Sequence, residues 1–69
     1  MEKFVSVRDL LALIYDDDCV EIDFPGFSSG VIRCSLAADV LSPEQLAGRV
    51  TGVWRSLYNK IVIEAEVIA

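Results

Sequence analysis

The chain has 69 residues, 54% of them hydrophobic, and a net charge of −5 from 11 acidic and 6 basic side chains. That length fits one domain, and so apolar a composition excludes a solvated, disordered segment. The acidic balance, with Lys3, Arg8, Arg33, Arg49, Arg55 and Lys60 scattered singly, argues against docking on nucleic-acid phosphates, which needs a basic patch.

The first predicted element is a helix that opens at Ser6. Ser6 and Asp9 have capping-box spacing, Val5 and Leu10 stand where a hydrophobic staple would pair them, and Val7, Leu10, Leu11 and Ile14 repeat with helical period. Asp16-Asp17-Asp18 should end this helix, since carboxylates are unfavourable at a helix C-terminus. A half-buried strand follows, with Val20, Ile22 and Phe24 alternating with Glu21 and Asp23. Pro25-Gly26 begins a turn that Gly30 closes, and Ile32, Cys34 and Leu36 alternate with Arg33 and Ser35 as a second strand. With both apolar sets facing the core, Phe24 should lie opposite Gly30, Ile22 opposite Ile32 and Val20 opposite Cys34. That register turns Cys34 inward and Cys19 outward, so the two should not form a disulfide. Two isolated cysteines without histidine or CxxC spacing also do not read as a zinc site.

Ser42-Pro43-Glu44 is a second helix start, Ser as N-cap and Pro at the first helical position. Beyond it, Leu46, Val50, Val53, Trp54, Leu57, Tyr58 and Ile61 fit a long amphipathic helix. Gly48 and Gly52 disfavour a helix interior, however, and Val50, Thr51 and Val53 prefer strands. The favoured reading is a helix over 43–48, a strand over about 50–56 with a bulge at Gly52, and a turn at Tyr58-Asn59. The last strand is the clearest: Ile61, Ile63, Ala65 and Val67 on one face, Glu64 and Glu66 on the other. The expected fold is α+β, in the order αββαββ, with two β-hairpins in one antiparallel sheet and helices on one face.

This layout resembles a loose group of short α+β proteins encoded by phages and mobile elements of Gram-positive bacteria. The residues that carry the likeness are Ser6-Val7-Arg8-Asp9-Leu10-Leu11, Val20-Glu21-Ile22-Asp23, Leu41-Ser42-Pro43-Glu44-Gln45-Leu46, Val50 to Trp54, and Lys60-Ile61-Val62-Ile63-Glu64. The resemblance is one of pattern. It implies a source and a fold rather than a reaction.

No catalytic residue is expected. Histidine is absent, no Ser or Cys has a credible partner, and a domain this small has little room for a pocket around a carboxylate pair. No cofactor and no metal are expected either: Asp16-Asp17-Asp18 lacks the spaced acids, glycine and distant glutamate of a Ca²⁺ loop, and Pro25–Gly30 lacks the lysine and helix of a phosphate loop. Two surfaces remain as candidates. Glu21, Asp23, Glu64 and Glu66 should form an acidic outer face, either a solvated sheet face or a mimic of nucleic-acid phosphates of the anti-restriction or anti-CRISPR kind. Trp54 and Val62 should point outward side by side, as the centre of a protein interface, or, in the long-helix alternative, Trp54 should be a core residue. Val67 and Ile68 add apolar surface suited to pairing at a sheet edge.

A domain of roughly 60 residues buries only about 60% of the surface its unfolded chain exposes. The expected partner is therefore a second copy, forming a homo-oligomer (a dimer), or another protein. Neither direct nucleic-acid binding nor membrane binding is expected. No segment reads as a signal peptide or approaches the roughly 20 apolar residues of a membrane span, so the expected location is the cytoplasm. The expected function is that of a non-enzymatic interaction or accessory module, with the acidic mimic as the alternative.

Overall fold

The computed structural model describes residues 4–68. It is a small α+β fold: four strands in one mixed sheet and a few short helices. Helix α1 (Val7–Leu11) starts where its cap residues dictate, the Ser6 hydroxyl accepting the Asp9 N–H at 3.1 Å. It ends sooner than the apolar periodicity suggests. After Ala12 the chain tightens into i→i+3 turns, the N–H groups of Leu13 and Ile14 donating to the carbonyls of Leu10 and Leu11.

Strands β1 (Cys19–Phe24) and β2 (Phe27–Arg33) form the first hairpin. The expected second strand over 32–36 and its register are corrected here. Pro25-Gly26 makes the whole turn, with Gly26 at φ +79°, so that Phe24 pairs with Phe27 and Val20 with Ile32 rather than with Cys34. Ser28-Ser29-Gly30 has turn-like composition but lies inside β2, at a bulge. There the Ser29 hydroxyl accepts the Ile22 N–H at 2.8 Å, and Gly30 takes φ +66°. Cys34 leaves the strand for a short 3₁₀ turn (Cys34–Leu36) yet is still buried. Cys19 is exposed, and both thiols are free. Burial, followed by the charges of Asp16 and Asp18, pushes the Cys34 thiol pKa up. Helix α2 (Ala37–Val40), which the sequence reading missed, follows directly.

Helix α3 (Pro43–Leu46) has a complete capping box. The Ser42 hydroxyl accepts the Gln45 N–H, and the Gln45 side chain accepts the Ser42 N–H at 2.8 Å. Residues 49–55 are strand rather than helix: β3 (Arg49–Arg55) pairs antiparallel with β4 (Ile61–Glu66), with the bulge at Thr51, between Val50 and Gly52. Asn59, at φ +62°, takes the left-handed position in the connecting turn.

The strand order is β2-β1-β4-β3, and the central pair, β1 with β4, is parallel. The all-antiparallel expectation is thus corrected to a mixed sheet. A two-stranded hairpin must be antiparallel, but how two hairpins dock depends on the connection between them. Residues 34–48 are long enough to reverse the direction. Ile22 faces Ile63 across the central pair, and both are fully buried. Around them cluster Val20, Phe24 and Ala65 from the sheet, with Val7, Ala37, Leu41 and Leu46 from the helices and the segments beside them. Among the described residues no helix is long and apolar enough to cross a membrane.

Candidate functional site

Alternation along the strands places Glu21, Asp23, Val62, Glu64 and Glu66 together on the sheet face opposite the core cluster. Trp54, opposite Val62, and Arg49, opposite Glu66, join them from β3. The expected acidic residues are therefore brought onto one face, but their charge is partly neutralised. The Glu21 carboxylate accepts from Lys60 Nζ at 2.7 Å, and Glu66 Oε1 accepts from Arg49 Nε and Nη2 at 2.9 Å. Asp23 and Glu64 are neighbours across β1 and β4. With Glu66, Thr51, Phe24, Pro25 and Ala65 they line an open cleft of about 310 Å³. Asp23 Oδ1 is buried there without a hydrogen-bond partner among the described residues.

The Lys60 hydrogen bond holds the Glu21 carboxyl below the ordinary carboxylate range. A carboxylate depressed in the folded state stabilises the fold above its unfolded pKa, about 4.3, and loses that contribution as pH falls through the folded value. Lys60→Met should therefore lower stability at neutral pH, with the deficit shrinking to nothing in strong acid where Glu21 is protonated in both proteins. Urea unfolding of the two proteins at several pH values checks this. A deficit independent of pH would mean that Lys60 acts through packing alone.

The expected apolar site is only partly assembled. Trp54 is 47% exposed and stands across from Val62, but Val62 is just 6% exposed. It lies on the outer face, as its parity requires, while outside the core cluster, so its burial comes from neighbours on that face. Val62 is thus covered on the outer face rather than presented on it. Val67 and Ile68 are exposed past the end of β4. They lie past the last β4 residues that β1 and β3 pair, Glu64 and Glu66.

The residues that sequence reasoning missed sit on β3 and its turn. Val53 pairs with buried Ile63 on the core face, yet it is itself 49% exposed, because β3 is the outermost strand. Leu57 and Tyr58 at the hairpin tip are almost wholly in solvent. A leucine and a tyrosine in a four- or five-residue turn, where polar residues are the rule, were the available signal. Asp16, Asp17 and Asp18 lie in the α1–β1 connection. The Asp16 and Asp18 carbonyls accept the N–H groups of Ser35 and Cys34. Among the described residues no three Asp, Glu or Cys side chains are grouped to hold a metal ion. Compared with protein-family models, curated proteins and solved structures, the chain matches none.

Proposed function

We propose that this chain is a non-enzymatic protein-interaction module that acts through the β3 side of its sheet and, following the resemblance above, serves as an accessory protein of a phage or mobile element. The observation that carries the reading is the exposed apolar group Val53, Trp54, Leu57 and Tyr58, gathered at one end of one hairpin. Isolated exposed apolar residues need no explanation, but four within residues 53–58 of an edge hairpin, a half-exposed tryptophan among them, have the composition of an interface. In this reading the short helices cover the core face, and the outer face and the β3 side are left for partners. The pairing of Glu21 and Glu66 with cations weakens the acidic face as a phosphate mimic, since a mimic needs its carboxylates unpaired.

The test is capture from a nuclease-treated bacterial lysate at low and high salt, with wild-type chain, Trp54→Ala and Glu64→Lys as baits. The expected result is capture of a protein, a second copy of the chain included, at both salts. Trp54→Ala should weaken it by about thirtyfold or more, as loss of a hot spot does, and Glu64→Lys should leave it intact. Capture only at low salt and lost in Glu64→Lys would overturn this reading in favour of the acidic face.

A further inference from the structure

Among the described residues the β3 edge is covered along only part of its length. At its start the N-terminal segment covers it: the Val50 N–H donates to the Val5 carbonyl at 2.9 Å, and Ser6 bridges Arg49. Toward the hairpin tip no such cover is seen among the described residues. The Ser56 N–H donates inward to the Lys60 carbonyl at 2.8 Å. Alternation from that point directs the backbone groups of Val53 and Arg55 outward, away from β4. The opposite edge of the sheet is guarded differently. β2 carries the Ser29 bulge, the positive-φ Gly30 and a proline-led turn, which are devices that keep an edge from pairing.

Resting on the interaction-module reading, we propose that the occupant of this open edge is a second copy of the chain. Two β3 strands pair antiparallel about a two-fold axis at Val53 or Trp54, joining two four-stranded sheets into one of eight. Three observations select a copy over an unrelated segment. First, the core layer runs off this edge, since Val53 is on the core face and half exposed; a two-fold partner supplies the same unfinished layer in return, as an isologous contact requires. Second, β3 reads Arg-Val-Thr-Gly-Val-Trp-Arg, with two arginines and no acid, against one arginine in the other acid-free edge strand β2, so it is the strand where two molecules of net charge −5 repel least. Placing the axis at Val53 or Trp54 also keeps Arg55 from facing its own copy. Third, the chain exposes 4769 Å², whereas a monomeric globular protein of this mass exposes about 4,300 Å². The excess is more than half of the roughly 800 Å² that each partner buries in a standard interface.

The experiment is sedimentation velocity of the full chain from micromolar to submillimolar concentration, for wild type and Val53→Lys, with circular dichroism confirming that both fold. In parallel, Val53→Cys, Trp54→Cys and, as a control on the other edge, Ser28→Cys are oxidised in a Cys19→Ser background. Antiparallel neighbours at a two-fold axis are about 4.5–5.5 Å apart at Cα, within disulfide reach. The expected result is a dimer of twice the chain mass, weakened about tenfold or more by Val53→Lys because an edge lysine opposes strand addition. Cross-linking should occur at position 53 or 54 and not at 28. A dimer indifferent to Val53→Lys, or cross-linked through position 28, overturns the proposal. A chain that stays monomeric throughout also overturns it. If that monomer still captures another protein through Trp54, the interaction-module reading stands without the second copy; if it captures nothing, both fall.

Discussion

Ile22→Ala should remove about 2–5 kcal/mol of stability, the cost of truncating a buried isoleucine and leaving a cavity. A domain of this length has only about 3–10 kcal/mol in total, so the variant should be close to unfolded at physiological temperature. Ile22 is fully buried and sits on the second strand in from one edge. Across the parallel central pair it faces Ile63, also fully buried. Its backbone N–H is held by the Ser29 hydroxyl across the β2 bulge, which limits how far the strand can collapse into the space vacated. Ile63→Ala should cost a similar amount, and the double variant more than the chain can lose. Ile22→Val, which removes one methylene, should cost about 0.5–1.5 kcal/mol, and Ile68→Ala, at an exposed position past β4, close to nothing. Urea midpoints at one fixed protein concentration measure the series, the fixed concentration removing any contribution from self-association. A loss below about 1 kcal/mol for Ile22→Ala would show that the β1–β4 seam is not the centre of the core.

That seam also marks where the sequence stopped being readable. Signals that act within a few residues came through. Ser6 and Ser42 cap the helices expected of them, Val20-Ile22-Phe24 and Ile61-Ile63-Ala65 face the core, and Asn59 turns the second hairpin. The Gln45 half of the second cap was present as S-x-x-Q. The signals that failed depend on distant chain. Ser28-Ser29-Gly30 was composed like a turn, but its hydroxyls satisfy backbone groups inside a strand, including one on β1, and hydrophobic pattern carries no trace of that. The ion pair of Lys60 with Glu21 spans 39 residues and follows from the parallel register alone. Val53 has the parity of a core residue and Val62 that of a surface one, yet Val53 is exposed and Val62 buried. Parity assigns a face; strand order decides whether that face is covered, and strand order is a property of the whole sheet.

Gly48→Ala is expected to be the most damaging single methyl that can be added to this chain. Gly48 is buried at the junction of α3 and β3. Its carbonyl accepts the Val7 N–H at 3.0 Å, tying α1 to the same point. A Cβ built there would lie 2.7 Å from the Glu66 carbonyl oxygen, 3.0 Å from that of Gln45 and 3.1 Å from the Phe24 ring. The nearest two atoms are backbone and cannot rotate away, so the end of β4 or the last turn of α3 must move. Overpacking of this kind costs about 1–3 kcal/mol, occasionally more, and the shift is passed to α1 through Val7. The cause is crowding rather than backbone conformation, since the positive-φ glycines are Gly26 and Gly30. Gly52→Ala is the matched control. Its Cβ would meet the end of the Glu64 side chain at 3.3 Å, and that carboxylate is exposed and free to swing aside. Relief of glycine's unfolded-state entropy, worth about 0.5–1 kcal/mol within a strand, should leave Gly52→Ala neutral or slightly stabilised. Thermal melts of the two variants side by side decide the matter. Equal melting temperatures would mean that the α3–β3 junction has room to relax, and that the close approach of Gly48 to β4 does not hold α1, α3 and the sheet together.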